Sequence, residues 1–136
     1  MWLSNRAKMD QDKLQEIEHD GETLLDFSTA VGEHQVRCGN AYIQEHPLRA
    51  RTWNKENIMA LEAEAEATGT VSKVMFDQCA VGLKSPRGYP IKKPTCLLCC
   101  NIEAVPARLK NKKCKCSKYY ELGGVVCSHR VCWGGV

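Results

Sequence analysis

Long hydrophobic runs are missing from this 136-residue chain, in which the longest uncharged apolar stretch is Cys96 to Cys100. A membrane-spanning helix needs about 20 apolar residues, so the sequence predicts no such helix and no membrane partner. The first twenty residues carry eight charged side chains, which leaves no room for the apolar segment of a secretory signal. We therefore expect an intracellular protein, either cytoplasmic or nuclear.

The motifs of nucleotide-dependent and hydrolytic enzymes are missing as well. The sequence contains no G-x-G-x-x-G, no Walker loop, no G-x-S-x-G and no H-E-x-x-H. These absences argue against nucleotide hydrolysis and the common hydrolase reactions. Of its residues, 43% are hydrophobic and 26% are charged, a composition typical of a single globular domain.

Charge is divided unevenly along the chain. Residues 1–70 hold 7 basic and 13 acidic residues, a net charge of −6, whereas residues 71–136 hold 12 basic and 3 acidic residues, a net charge of +9. A basic half of this kind can bind nucleic acid, because each phosphate that it neutralises releases counterions. The residues predicted to make such contacts are Lys92, Lys93, Lys110, Lys112, Lys113 and Lys115. The alternative is a solvated basic face with a charged tail.

Nine cysteines are present, and eight of them lie in the basic half. Their odd number and the missing export signal favour free thiols over a disulfide framework. A structural zinc site is the alternative, with Cys96, Cys99, Cys114 and Cys116 as its ligands. The first two of these lie in Leu-rich sequence, where cysteine behaves as a small buried hydrophobic residue. A nucleophilic role for Cys79 lacks an identifiable histidine partner.

Residue patterns predict a mixed order of helices and strands. The predicted elements are a helix over Asp12–Cys38 that can divide at Gly21 and stops at Gly39, a strand over Ala41–Glu45, a helix over Lys55–Ala67 capped by Asn54, a strand over Val71–Cys79, a turn at Ser85–Gly88, a strand over Pro94–Cys100 and a short helix within Asn101–Lys110. No structure is assigned to residues 111–136.

Two strands joined by one helix predict a right-handed parallel β-α-β unit. In such a unit, Glu45 and Asp77 end adjacent strands and come close together at the carboxyl edge of the sheet. A pair of carboxylates at this edge is a candidate catalytic site. Polar residues at strand ends are also commonplace, and that is the alternative interpretation.

Several short sequences, in order along the chain, carry a resemblance to a known family. They are Tyr42-Ile43-Gln44-Glu45-His46-Pro47, Arg51-Thr52-Trp53, Phe76-Asp77-Gln78-Cys79-x2-Gly82-Leu83, Lys92-Lys93-Pro94-Thr95-x-Leu97-Leu98 and Asn101. Over Gly39 to Asn101 the chain resembles a domain of retrotransposon-type polyproteins, found especially in protist genomes. That domain is in turn similar to the second half of a class I methyltransferase fold, above all that of cytosine-5 DNA methyltransferases.

This resemblance implies a fold class and roles for particular residues. The fold class is α/β, a partial Rossmann-like sheet with an N-terminal helix, one β-α-β unit, a C-terminal β-hairpin and a Cys/Lys-rich tail. Its divisions are a helical segment over 1–39, a methyltransferase-like β-α-β-β core over 40–110 and a basic Cys/Gly-rich tail over 111–136. Glu45 would stand in the place of the glutamate that holds the target base, and the strand at Lys92 and Lys93 in the place of a supporting hairpin.

The chain departs from those enzymes in its first part. No cofactor glycines and no Pro-Cys nucleophile precede Asn40. The sequence therefore favours a non-catalytic, retroelement-derived remnant that binds nucleic acid and needs no cofactor. One alternative is a small zinc-stabilised module that binds nucleic acid or protein, and another is part of an active S-adenosylmethionine-dependent methyltransferase. Half of a doubly wound sheet leaves an open edge, which predicts self-association or pairing with an upstream segment.

Overall fold

The computed structural model of the chain describes residues 9–88 and 90–114. In this part the elements are α1 (Gln11–Arg37), β1 (Tyr42–Pro47), a 3₁₀ helix (Arg51–Asn54), α2 (Glu56–Thr68), β2 (Val71–Asp77), a second 3₁₀ helix (Gln78–Val81), β3 (Pro94–Cys100) and α3 (Ala104–Leu109). The described fold is thus a mixture of three α-helices and a three-stranded antiparallel sheet. None of the described helices is long and apolar enough to cross a bilayer.

The predicted N-terminal helix is confirmed as one unbroken helix of 27 residues, so the division at Gly21 is wrong. Glycine costs a helix about 1 kcal/mol relative to alanine, which the packing of the other turns of α1 offsets. The helix stops as predicted at Gly39, whose φ of 75° is left-handed and whose N–H donates to the carbonyl of Val36.

Most of the other predicted elements are confirmed, with ends shifted by one to three residues. The turn over Ser85–Gly88 is closed by a 2.9 Å bond from the Gly88 N–H to the Ser85 carbonyl. Helix α3 begins two residues before Pro106, within the first turn, where proline is tolerated. The predicted cap at Asn54 is wrong, because Asn54 ends the preceding 3₁₀ helix and Lys55 occupies the N-cap position of α2.

The order of strands in the sheet is β1-β3-β2, and β3 runs antiparallel to both neighbours. Strands β1 and β2 therefore run in the same direction, but they do not pair with each other. The predicted direct parallel pairing is wrong, and a Rossmann-like topology is not confirmed. The physical reason lies in β3, where Thr95 to Cys100 are all buried. A strand without charged side chains is stable between two others, whereas β1 and β2 carry charges suited to an edge.

Helices cover both faces of the sheet. On one side, which we call the helical face, Val36 of α1 and Leu61 and Ala65 of α2 pack on Leu98 and Cys100. On the other side, the α3 face, the residues in contact are Val74, Phe76, Leu97 and Cys99 of the sheet with Ile102, Val105 and Leu109. The central strand thus contributes alternate side chains to two separate cores.

Two glycines of α1 give a matched test of this packing. A methyl group at Gly32 would lie 2.6 Å from Cε1 of Tyr42, whereas one at Gly21 would meet nothing within 4 Å. We expect Gly32→Ala to lower the free energy of unfolding by about 1–3 kcal/mol through overpacking. Gly21→Ala should instead raise it by about 0.5–1 kcal/mol, because alanine is the better helix former.

Urea denaturation followed by circular dichroism measures both changes. A Gly32→Ala variant as stable as the parent chain would contradict the close packing of α1 against Tyr42.

Candidate nucleic-acid interface

The end of the sheet at which β1 and β2 finish and β3 begins collects basic residues, and we call it the basic end. The Leu48 N–H donates to the Pro94 carbonyl over 3.0 Å, which joins the residues after β1 to those before β3. Arg49 and Arg51 are exposed immediately after β1, and Lys92 and Lys93 are half-buried immediately before β3. The antiparallel register thus places these two pairs of cations at the same end.

Two successive backbone amides at the end of β2 hold Lys112 at the same end of the sheet as Lys93. The Asp77 N–H donates to the Lys112 carbonyl over 2.9 Å, and the Gln78 N–H donates to the Lys93 carbonyl over 3.1 Å. Lys93 and Lys112 are far apart in sequence, yet they flank the same strand end. The basic residues gathered at the basic end are Arg49, Arg51, Lys84, Arg87, Lys92, Lys93, Lys110, Lys112 and Lys113.

Five of the six lysines predicted to contact nucleic acid lie at the basic end, while Lys115 lies outside the described residues. Lys110 and Lys112 are exposed, so their ammonium groups are available to a phosphate. Lys113 is exposed too, and its Nζ donates to the Met75 carbonyl over 2.8 Å. Lys93 lies 3.8 Å from a carboxylate oxygen of Glu45, an exposed ion pair of small energetic value.

The acidic side chains at the strand ends are engaged within the protein. The buried carboxylate of Asp77 accepts a 2.7 Å hydrogen bond from the Cys114 N–H, which fixes the segment that follows α3. Above the helical face, Glu22 is paired with Lys55 and Asp26 with Asn57, beside Glu56. The carboxylates of Asp77, Glu22 and Asp26 are thus all engaged by other groups of the protein.

The predicted catalytic pair is not formed. Glu45 lies opposite Leu97 and Asp77 lies opposite Pro94, so the two carboxylates are on opposite faces of the sheet. The central strand also separates β1 from β2, which puts them about 10 Å apart at two strand spacings. Since neither distance nor orientation allows joint proton transfer, the expectation that Glu45 and Asp77 meet is wrong.

The predicted zinc ligands are likewise separated. Cys96 and Cys100 belong to the helical face and Cys99 to the α3 face, so Cys96 and Cys99 do not share a site. Cys114 follows α3 and Cys116 lies outside the described residues. Within residues 9–88 and 90–114, no group of three or more His, Cys, Asp or Glu side chains is arranged to hold a metal ion. Burial raises the pKa of the Cys96 and Cys99 thiols and raises that of Cys100 to about 11.

A polar cluster on the helical face was not anticipated from the sequence. The hydroxyl of Tyr42 lies 2.7 Å from the Ser28 carbonyl and 2.5 Å from Oε1 of Gln44, and its single proton serves one of them at a time. Nε2 of Gln44 lies 2.9 Å from Nε2 of His46, whose ring packs edge-on against Trp53. The alternation of Tyr42, Gln44 and His46 along β1 was the signal that could have revealed this cluster.

This cluster connects β1 to its surroundings. Its tyrosine contacts α1, and the Trp53 indole N–H donates to the Pro47 carbonyl over 3.0 Å. Burial lowers the pKa of His46, which favours the neutral imidazole. Through the contacts of Trp53 with Pro47 and His46, the cluster positions the 3₁₀ helix that carries Arg51.

Comparison with protein families, with curated proteins and with solved structures finds no match to this chain. The interpretation of the basic end therefore depends on its own residues and geometry.

Thiol alkylation tests the burial of the central strand. With iodoacetamide near pH 8 in the native state, we expect Cys38, which is exposed, to react first among the cysteines of residues 9–88 and 90–114. Cys96, Cys99 and Cys100 should react slowly, because they are buried and their raised pKa values leave little thiolate. Peptide mass spectrometry measures the order of labelling, and the three thiols should become as reactive as Cys38 in denaturant. Rapid native labelling of Cys99 would contradict the coverage by α3.

Stability should depend on pH through His46. Because its pKa is lowered in the folded state from 6.5, the unfolded chain binds the proton first as the pH falls. The free energy of unfolding should therefore decrease as the pH is lowered below that value, until the folded state is protonated too. His46→Gln should flatten this part of the profile in urea titrations, and His19→Gln on exposed α1 is the matched control. An unchanged slope in His46→Gln would show that the buried imidazole does not contribute.

Proposed function

We propose that this chain is a non-catalytic module of retroelement origin that binds the phosphate backbone of nucleic acid through its basic end. The observation that carries the proposal is the pair of hydrogen bonds from the Asp77 and Gln78 amides, which hold Lys112 and Lys93 at one strand end. These backbone hydrogen bonds fix the main-chain positions of both lysines, so their side chains extend from the same end of the sheet.

The chemistry of the basic end favours phosphate over base recognition. Lysine is a flexible point charge, and contacts from such side chains to phosphates position a protein on nucleic acid without reading its sequence. The described cations extend from the residues after β1 to the segment after α3. Binding should therefore weaken steeply with salt and depend little on sequence.

The retroelement origin is supported by where the resembling sequences lie. They form β1, the 3₁₀ helix with Trp53, the end of β2 and the beginning of β3, which together build the basic end. The likeness to a methyltransferase rests on Glu45 near the end of β1 and on the strand at Lys92 and Lys93. Because β3 intervenes and the carboxylates of Glu45 and Asp77 lie apart, binding rather than catalysis is the function proposed.

Fluorescence anisotropy with labelled duplex DNA of unrelated sequences tests the proposal. We expect the association constant to fall with salt, with a logarithmic slope of about −0.9 for each phosphate contact. The double variant Lys110→Gln with Lys112→Gln removes two exposed cations that make no described side-chain contact. It should weaken binding equally on all sequences and reduce the slope by about 2.

The control is Arg37→Gln with Lys73→Gln, which changes the net charge equally but at the other end of the sheet, where α1 ends and β2 begins. Both cations are in exposed ion pairs of small energetic value. It should retain parental affinity and slope. Binding that does not respond to salt, or a control that weakens binding as much as the test variant, would contradict the proposal.

A further inference from the structure

The outer edge of β1 has hydrogen-bonding groups to offer. Along a strand, every second residue directs its backbone N–H and C=O toward the same neighbouring strand. Because the Leu48 N–H donates to the Pro94 carbonyl, Gln44 and His46 direct theirs toward β3 as well. Ile43 and Glu45 therefore direct their N–H and C=O groups away from the sheet. Among the residues that the structure describes, these four groups have no hydrogen-bond partner.

The opposite edge of the sheet is different. On β2, the outward Asp77 N–H donates to the Lys112 carbonyl, and the outward Met75 carbonyl accepts from Nζ of Lys113. The segment after α3 thus covers the end of β2. An uncovered strand edge is a ready template for another strand, and in the described fold β1 is the edge that remains open.

Beside the open edge, α1 presents an apolar flank. Leu24 and Phe27 are each 69% exposed and Val31 is 38% exposed. Leu24 and Val31 are seven residues apart, two turns of helix, so they share one side with Phe27 between them. The side of α1 that meets α2 is a different one, marked by the contacts of Glu22 with Lys55 and of Arg37 with Glu64. The apolar flank therefore lies away from α2, on the side of the β1 edge.

We propose that a second copy of this chain occupies this side, in a dimer with twofold symmetry. The twofold axis passes beside Gln44, so that β1 pairs antiparallel with the partner's β1. Ile43 and the partner's Glu45 then exchange hydrogen bonds, and so do Glu45 and the partner's Ile43. The two sheets become one sheet of six strands, and both copies of α1 lie on the same face of it.

The same axis brings the apolar flanks together. Tyr42 reaches Ser28 and Gly32 of α1, and β1 runs back along the helix from there. Gln44 is two residues further, about 7 Å along the strand. Phe27 directly precedes Ser28 on α1, and Leu24 lies about one helical turn of 5.4 Å before it. An axis beside Gln44 therefore crosses α1 at the middle of its exposed apolar residues.

Charge and area are compatible with this arrangement. The part of α1 before Phe27 carries six acidic residues with Lys13 and His19, whereas the rest carries Glu33, His34 and Arg37. Antiparallel copies place the acidic half of one helix beside the less acidic half of the other. The surface formed by the β1 edge and the apolar flank is about 30 Å long along α1 and about 20 Å wide. Its contact with a partner would bury about 600 Å² per chain, near the lower limit for a specific dimer.

The twofold axis puts the two basic ends at opposite ends of the joined sheet. Each basic end is complete within one chain, so the dimer and the proposed nucleic-acid contact fail or succeed separately.

Sedimentation equilibrium of the full chain in reducing buffer tests the dimer. The measured mass should rise with protein concentration from 15.2 kDa toward twice that value. Leu24→Glu places a charge in the apolar flank, and Glu45→Pro removes an outward N–H at a strand edge where proline is tolerated. Both variants should stay at the mass of one chain, with the circular dichroism spectrum of the parent.

Two matched controls should remain dimeric. Met59→Glu adds the same charge at an apolar residue of α2 that is 58% exposed, and Glu45→Gln keeps the backbone N–H while removing the carboxylate. If Glu45→Pro does not fold, Leu24→Glu decides alone. A parent chain that stays monomeric at every concentration overturns the proposal and leaves the flank for a different protein. A dimer that survives Leu24→Glu, or that is lost equally in Met59→Glu, overturns it as well.

Discussion

The fold depends on the burial of β3 between two other strands and two helical layers. Leu98 and Cys100 belong to the core under α1 and α2, and Leu97 and Cys99 to the core under α3. A single strand therefore joins two apolar cores that are otherwise separate. Large-to-small substitution of a buried leucine costs about 2–5 kcal/mol, and at this strand the loss would fall on the core to which that leucine belongs.

This central position has a consequence for chemistry. Because β3 lies between β1 and β2, the two strand ends that carry Glu45 and Asp77 are held apart and the carboxylates face opposite sides. Asp77 is committed to the backbone of Cys114, and Glu45 is near Lys93. The strand ends therefore do not form a site for proton transfer. The end of β2 instead binds the two segments that contain Lys93 and Lys112.

The basic end and the outer edge of β1 differ in how their backbone groups are used. Backbone groups at the end of β2 are used to hold Lys112 and Lys93, so that edge is covered. Backbone groups on the outer edge of β1 are not used in this way by the described residues, and an apolar flank of α1 lies alongside. The first arrangement suits a polyanion and the second suits a further strand and helix, so we propose that nucleic acid binds at the first and a second chain at the second.

The sequence by itself determined the elements and the polarity of charge. Apolar residues at helical spacing defined α1, a glycine able to adopt positive φ ended it, and uncharged residues from Thr95 to Cys100 defined β3. Such signals are local, since they depend on the spacing of neighbours along the chain. Tertiary structure decided the strand order, because two co-directional strands can pair directly or admit a third between them, and only the competition for burial selects the outcome. The uncharged run of β3 was the clue to that choice, and the meeting of Lys93 with Lys112 at the end of β2 followed from the tertiary structure. The separation of Cys96 from Cys99 follows instead from the alternation of side chains along a strand.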